Sequence, residues 1–121
     1  MSSSEDNVTI VVVGASGDLA RKKVIPALFA LYSQGYLPPS FQLFGFARSE
    51  LTDDGFRRLI SEHLTCRLAP GSGCEDKTQE FLSRCFYVAG AYDSPDSFLD
   101  LFEAMQKVEK KPLVNRIFYL A

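Results

Sequence analysis

Two glycines, three positions apart, form the part of this sequence best suited to ligand chemistry. They follow the run Val8–Val13, whose β-branched apolar residues are typical of a parallel strand buried on both faces. Gly14 permits a tight turn, and Gly17 lets the backbone approach a phosphate with no Cβ in the way. If a helix begins here, its first N–H groups point at that phosphate. The turn therefore predicts a dinucleotide pyrophosphate site, and an ordinary strand-to-helix turn is the alternative.

Side chains near the two glycines strengthen this prediction. Ser16 can donate a hydroxyl hydrogen bond, and the small Ala20 lets the helix lie close to the strand. Arg21, Lys22 and Lys23 add positive charge within one helical turn. The spacing is G-x-x-G-x-x-A, which differs from the commoner G-x-G-x-x-G. A kinase-type phosphate loop fits less well, because no Gly-Lys-Ser or Gly-Lys-Thr follows.

The end of the second predicted strand indicates which dinucleotide is bound. NAD-selective sites usually place an acid there to accept hydrogen bonds from the ribose 2′-hydroxyl. This strand instead runs into Arg48 and Ser49. A guanidinium binds a 2′-phosphate through charge-assisted hydrogen bonds, and the serine is a second donor. The pattern favours NADP over NAD, with an exposed arginine of no special role as the alternative.

Alternating elements must position these residues. Strands are predicted at residues 8–13, 41–47, 85–89 and 117–121, and helices at 18–33, 53–64, 76–84 and from 95 to about 111. This alternation predicts an α/β fold, namely the first half (βαβαβαβ) of a Rossmann-type doubly wound parallel sheet that is truncated at its fourth strand. Thr52 and Ser94 are the predicted N-caps.

Apolar periodicity predicts which helix faces are buried. Pro26 lies inside the first helix, where it must kink the helix or interrupt its hydrogen bonding. The residues expected to face the core are Leu19, Ile25, Leu28, Phe29 and Leu31 in the first helix, Phe56, Leu59, Ile60 and Leu64 in the second, and Phe98, Leu101, Phe102, Met105 and Val108 in the last.

Length and composition limit the function classes. The chain has 121 residues and a net charge of −2, which gives no reason to expect nucleic acid or an anionic membrane as a partner. Residues 1–7 are predicted to be a flexible N-terminus without the features of a leader peptide, and residues 8–121 one incomplete NADP-binding domain whose substrate domain is absent. Because the last residues have the pattern of a buried strand, we expect the sequence to be a truncated piece.

Linked motifs resemble the glucose-6-phosphate dehydrogenase family. They occupy residues 14–23, 26–29, 45–49, 87–93 and 115–121. The resemblance implies NADP-dependent oxidation of glucose 6-phosphate to 6-phosphogluconolactone, the first step of the oxidative pentose phosphate pathway. It implies that the cofactor contacts are Gly14, Ala15, Ser16, Gly17, Asp18, Leu19, Ala20, Arg21, Arg48 and Tyr119.

The same resemblance places the rest of the machinery outside this sequence. The catalytic histidine and the sugar-phosphate ligands of the family come from sequence beyond Ala121, so no catalytic residue is expected here and the chain alone is expected to be inactive. No metal site is expected either. His63 is expected at a helix surface or boundary instead. The family forms dimers or tetramers through its C-terminal part, which implies a homo-oligomer.

The cysteines offer a second hypothesis. Cys66 and Cys74 bracket a Gly- and Pro-rich segment, and two free thiols are the simplest interpretation of that spacing. However, the surrounding residues resemble the plastid isoforms of plants and algae, in which a cysteine pair in this loop is a thioredoxin-controlled disulfide. The resemblance thus implies a regulatory disulfide and a plastid stroma location, with the cytoplasm as the alternative. Cys85 opens a strand and is expected in the core.

Two other function classes stay open. A non-enzymatic NADP-binding redox-sensor module would use the same turn without a catalytic domain. A structural α/β domain would bind no cofactor at all. The coding sequence that follows Ala121 would separate the sensor from the enzyme, and titration with NADP and NAD would separate the structural domain from both.

Overall fold

Strands and helices alternate through the part of the chain that the computed structural model describes, which is residues 8–38, 40–64, 74–109 and 115–120. The elements are β1 (Val8–Val13), α1 (Ile25–Ser33), β2 (Gln42–Ala47), α2 (Asp53–Ser61), α3 (Cys74–Ser83), β3 (Cys85–Ala89), α4 (Pro95–Glu109) and β4 (Asn115–Leu120). The predicted flexible N-terminus lies outside the described residues, so that expectation stays a prediction.

The four strands form one parallel sheet in the order β3-β2-β1-β4. The chain moves outward from β1 through β2 to β3 and then returns to the other side of β1 with β4. This reversal leaves a crevice at the carboxyl ends of β1 and β4, which is where open α/β sheets bind ligands. The predicted α/β, Rossmann-type parallel sheet is confirmed.

Two cores cover the two faces of the sheet. Ile10 and Val12 face the larger core, while Val11 between them faces the smaller one, so β1 is buried on both sides as predicted. Helices α1, α2 and α3 cover the larger core, and α4 covers the smaller one. The alternation of β1 side chains between the cores explains why its sequence is apolar at nearly every position.

The first helix is not one regular element, and two residues predicted in its buried face are exposed. Residues Ala20–Val24 form a π-helical turn before α1, and the Ile25 N–H bonds to the Ala20 carbonyl across it. Pro26 is the second residue of α1, where its missing N–H removes no hydrogen bond from that helix. The predictions for Leu19 and Leu31 are wrong, since 54% and 42% of their surfaces are exposed. α1 packs instead through Ile25, Phe29 and Tyr32.

The last helix also differs from its predicted face at one position. Leu101 and Met105 are fully buried as expected. Phe102 is not, because α4 lies on the sheet alone and leaves its flank open. There the Arg116 guanidinium lies 5.6 Å from the centre of the Phe102 ring. No helix within the described ranges is long and apolar enough to cross a membrane.

Both predicted N-caps are confirmed. The Gly55 N–H donates to the Thr52 hydroxyl at 3.0 Å, and the Ser97 N–H donates to the Ser94 hydroxyl at 3.4 Å. Each cap satisfies a backbone donor that a helix otherwise leaves open at its first turn. The caps fix where α2 and α4 begin, directly after the loops at the carboxyl ends of β2 and β3.

Candidate functional site: the carboxyl end of the sheet

The glycine turn leaves β1 in a conformation that glycine tolerates. Gly14 has a φ of 84°, and its N–H donates to the Phe46 carbonyl at 2.8 Å, which ties the turn to β2. The Gly17 N–H donates to the Gly14 carbonyl at 3.0 Å, and the Arg21 N–H to the Gly17 carbonyl at 3.1 Å. A Cβ on Gly17 would lie only 3.3 Å from the Gly14 oxygen. Both glycines are therefore needed for the turn to close.

A third glycine lets the turn sit directly on β2. A Cβ on Gly45 would lie 2.8 Å from the Ala15 Cβ and 2.7 Å from the Phe56 ring. Ala15 and Ala20 are both fully buried, so neither methyl group faces a ligand. The small side chain of Ala15 and the absence of one at Gly45 bring the turn, β2 and α2 together.

Arg21 and Asp18 form an ion pair at the start of the helical segment. The Arg21 Nη2 donates to Asp18 Oδ1 at 2.5 Å, and the carboxylate is largely exposed. The Arg21 Nε is buried and has no hydrogen-bond partner in the part of the chain that is described. A buried donor without an acceptor is unfavourable, and an anionic ligand at the turn would supply one.

Arg48 lies at the end of β2, exposed as a ligand-binding cation must be. Its guanidinium carbon is 5.5 Å from the centre of the Tyr92 ring, which comes from the loop after β3. Tyr92 also packs against Phe46, at 5.9 Å between ring centres. Sequence reasoning missed Tyr92 as a site residue. The rule that parallel strands end at one edge of a sheet could have placed it there, since it follows β3 as Arg48 follows β2.

Ser16 and Ser49 meet beside the turn. Their hydroxyl oxygens are 3.3 Å apart, and the Tyr87 hydroxyl donates to the Ser49 carbonyl at 2.5 Å. Burial raises the pKa of the Tyr87 phenol, hydrogen bonding with Ser16 opposes this, and the nearby Tyr92 adds to the increase. Tyr87 therefore stays a neutral donor at physiological pH. Sequence reasoning did not select it.

Tyr119 lies in β4, at the opposite side of the crevice. It is the register partner of Val12 in β1, one residue from the turn, and 48% of its surface is exposed. The structure thus brings Tyr119 to the same end of the sheet as the glycine turn. It does not place Tyr119 beside Arg48, because β1 lies between β4 and β2.

The structure describes the side chains of only some of the remaining predicted residues, which are the three cysteines and His63. Cys66 lies outside the described residues, and of Cys74 only the backbone at the start of α3 is described, so their disulfide stays a prediction. Cys85 is fully buried and its thiol donates to the Phe81 carbonyl at 3.3 Å, so the core prediction is confirmed. Burial raises the pKa of the Cys85 thiol, against the opposing charge of Arg57. His63 follows the end of α2 and is partly exposed, as expected of a boundary residue.

The turn and the end of β2 offer separate donors for two anionic groups. The turn offers a helix start, two glycines and an unsatisfied arginine Nε for a pyrophosphate. The exposed Arg48 and the serine pair lie one strand away for a second anion. Among the described residues there is no group of three or more His, Cys, Asp or Glu side chains that could hold a metal ion.

Comparison with known proteins gives a consistent result. The family profile described as "Glucose-6-phosphate dehydrogenase, NAD binding domain" matches residues 11–121. A solved structure described as glucose-6-phosphate dehydrogenase in complex with its substrate glucose-6-phosphate superposes with a TM-score of 0.84 at 41% identity, over 96% of this chain and 24% of that one.

Curated relatives carry the enzyme's name, and one of those names includes the word inactive. "Glucose-6-phosphate 1-dehydrogenase 3, chloroplastic" from Arabidopsis thaliana is 53% identical over 94% of this chain and 19% of its own length. "Inactive glucose-6-phosphate 1-dehydrogenase 4, chloroplastic" from the same plant is 45% identical over 95% of this chain and 18% of its own length. The chain spans about a fifth of the length of the curated relatives it matches.

Proposed function

The chain belongs to the family of glucose-6-phosphate dehydrogenase NAD-binding domains, and from that premise we propose that it holds NADP for the oxidation of glucose 6-phosphate to 6-phosphogluconolactone. The preference for NADP rests on one observation. An exposed guanidinium, Arg48, follows β2 where an NAD-selective site carries an acid. The reaction is the first step of the oxidative pentose phosphate pathway.

Each part of the site has its own task in this proposal. Backbone N–H groups of the turn at residues 14–20 and the Arg21 guanidinium hold the pyrophosphate. Arg48, with Ser16 and Ser49, holds the 2′-phosphate by charge-assisted hydrogen bonds. Tyr119 borders the crevice on the side of β4. The Arg21 guanidinium reaches the pyrophosphate by giving up part of its contact with Asp18 or by using its unpaired Nε.

This chain contributes binding and orientation. When bound, NADP supplies the acceptor for the hydride that leaves the sugar. The protein's part in such chemistry is to hold the cofactor in one orientation beside the substrate. The general base and the sugar-phosphate ligands are not assigned to any residue of this chain.

Titration of the full chain with NADP and with NAD tests the cofactor preference. We expect NADP to bind at least about tenfold more tightly, since hydrogen bonds to charged groups contribute about 1.5–3 kcal/mol. Arg48→Gln should remove that difference and leave NAD binding unchanged. Arg58→Gln, at an exposed arginine of α2, is the matched control and should keep the preference. Equal affinities in the unaltered chain would contradict the proposal.

A non-enzymatic NADP-binding redox-sensor module is the second candidate. It is favoured by the name of one relative, which calls that protein inactive although it aligns with 95% of this chain. The two candidates differ in turnover and not in binding. Formation of NADPH from glucose 6-phosphate by the native protein isolated from its source supports the enzyme, and tight NADP binding without NADPH formation supports the sensor.

Redox control and location complete the proposal. The resemblance to plastid isoforms supports a disulfide between Cys66 and Cys74, a plastid stroma location and assembly into homo-oligomers. Reduction of the disulfide by the dithiol of a thioredoxin would transfer two electrons and two protons and give two thiols. Thiols counted in the denatured oxidised protein should number one, that of Cys85, and three after reduction. Equal counts before and after reduction would exclude the disulfide.

A further inference from the structure

A buried tyrosine is linked through Ser49 to the glycine turn. Tyr87 lies in β3 and its hydroxyl donates to the Ser49 carbonyl at 2.5 Å. The Ser16 hydroxyl, from the turn after β1, lies 3.3 Å from the Ser49 hydroxyl. Ser49 therefore connects three segments that follow or form three different strands.

We propose that Tyr87 is a positioning residue for NADP selectivity, which holds the backbone at Ser49 so that Arg48 and the two serine hydroxyls converge on the 2′-phosphate. This inference rests on the proposed function, because it concerns the phosphate that distinguishes NADP from NAD. Tyr87 itself touches no ligand in this proposal. It affects NADP binding because its hydrogen bond to the Ser49 carbonyl holds the main chain next to Arg48.

The segment that Tyr87 holds needs such support. Residues 48–50 are all exposed and follow the last residue of β2, so the sheet no longer fixes their backbone. The Arg48 side chain packs against Tyr92 at 5.5 Å, which limits its motion without fixing the main chain. A hydrogen bond to the Ser49 carbonyl anchors the main chain directly after the arginine. It reduces the ordering that a bound phosphate would otherwise have to impose.

Tyr87 is itself well anchored. Its backbone N–H donates to Asp53 Oδ1 at 2.8 Å, at the start of α2. Its ring lies 5.1 Å from the Phe56 ring, and only 7% of its surface is exposed. Its register partner in β2 is Gly45, whose missing side chain leaves room for the Phe56 ring. A phenol held on three sides has little rotational freedom left to lose, which suits a residue that positions another.

Tyr87→Phe tests the proposal, because it removes the hydroxyl and keeps the ring against Phe56. Titration of the full chain should show an NADP dissociation constant raised about tenfold, while the NAD constant changes less than about twofold. A purely structural role would weaken both cofactors equally or neither. An unchanged ratio of the two constants in Tyr87→Phe would overturn the inference.

Tyr32→Phe is the matched control. Tyr32 is also a buried tyrosine whose hydroxyl is hydrogen-bonded, to Glu80 at 3.0 Å and to the Arg84 Nε at 3.2 Å, but these partners lie in α3 and just after it. We expect Tyr32→Phe to lower the unfolding temperature comparably and to leave the NADP-to-NAD ratio unchanged. A ratio that falls as far in this control as in Tyr87→Phe would also overturn the inference.

A second pair of variants leaves every tyrosine in place. Ser49→Ala and Ser49→Gly both lack the hydroxyl, but glycine also loosens the backbone that carries the carbonyl. If the position of that backbone matters, Ser49→Gly should lose more of the NADP preference than Ser49→Ala. Equal losses would contradict the inference. Failure of the proposed function is distinguishable from both tests, because it appears as a lack of NADP preference in the unaltered chain.

Discussion

The two ends of the parallel sheet use polar side chains in opposite ways. At the amino ends of β1 and β4, Thr9, Glu109 and Arg116 bond to one another. The Thr9 hydroxyl donates to Glu109 Oε2 at 2.8 Å, and Arg116 donates to both carboxylate oxygens at 3.0 and 2.6 Å. The Glu109 side chain is only 4% exposed. Every oxygen of this buried carboxylate has a partner inside the protein.

At the carboxyl ends, polar groups are exposed or incompletely bonded. Arg48 is exposed, the Asp18 side chain is 72% exposed, and the Arg21 Nε is buried without a partner among the described residues. This difference between the two ends of the sheet indicates that a ligand is to be sought at the carboxyl ends. Polar groups that satisfy one another stabilise the protein, whereas polar groups left open at the crevice are available to bind something else.

Loss of Arg116 should have the largest effect on stability. Arg116→Met keeps much of the apolar stem but leaves the Glu109 carboxylate buried with Thr9 alone, and we expect the free energy of unfolding to fall by about 3 kcal/mol. Urea titration measures it. Arg58→Met, at an exposed arginine, is the control and should change stability by less than about 0.5 kcal/mol. A loss below about 1 kcal/mol for Arg116→Met would mean that water screens this ion pair as it screens surface pairs.

Gly14→Ala should disturb the other end of the sheet. A side chain at a φ of 84° is strained, so we expect the free energy of unfolding to fall by about 1–2 kcal/mol. Binding of both NADP and NAD should weaken as well, because the turn is common to both. Gly35 has a φ of 83° but lies beyond α1, so Gly35→Ala is a control with similar strain and unchanged binding. Equal loss of binding in both variants would contradict a special role for the turn.

Acid should weaken the amino end selectively. Burial raises the pKa of the Glu109 carboxyl, but hydrogen bonds from Arg116 and Thr9 and the charge of Arg116 outweigh it, so the pKa in the folded protein is lower than usual. A lowered folded pKa contributes stability above the ordinary carboxyl pKa, and this contribution is lost as the pH falls through the folded pKa. Unaltered protein and Glu109→Gln should therefore differ in stability at neutral pH and converge in acid. If the stability difference between the two proteins stayed constant from neutral to acid pH, the ionised Glu109 carboxylate would not be its cause.

Arg48→Gln should have the smallest effect on stability, which would separate the role of Arg48 from that of Arg116 at the other end of the sheet. The side chain is exposed and contacts Tyr92 at 5.5 Å, so we expect the free energy of unfolding to change by less than about 0.5 kcal/mol. NADP binding should nevertheless weaken by about tenfold or more. Thermal unfolding together with cofactor titration checks both statements. If Arg48→Gln lost as much stability as Arg116→Met, the Arg48 side chain would be stabilising the fold as Arg116 does.

Local patterns in the sequence were sufficient for the elements and for the turn. The apolar run of β1, the caps Thr52 and Ser94 and the glycine turn all act over a few residues, and the structure has each of them where it was predicted. Errors arose where a residue's environment depends on distant neighbours. Leu31 and Phe102 fit the helical period, but the elements packed against each helix decide which of its sides are covered.

The sequence by itself determined that this chain has a parallel α/β sheet, a glycine turn after its first strand and a cation after its second. These features follow from periodicity, glycine conformation and charge, which are properties of short segments. Only the tertiary structure decided that Ser49 bonds to both Tyr87 and Ser16, that Tyr92 packs on Arg48 and that Thr9 bonds to Glu109, one hundred positions away. Such partners come from different strands and helices, so only the packing of those elements brings them within bonding distance.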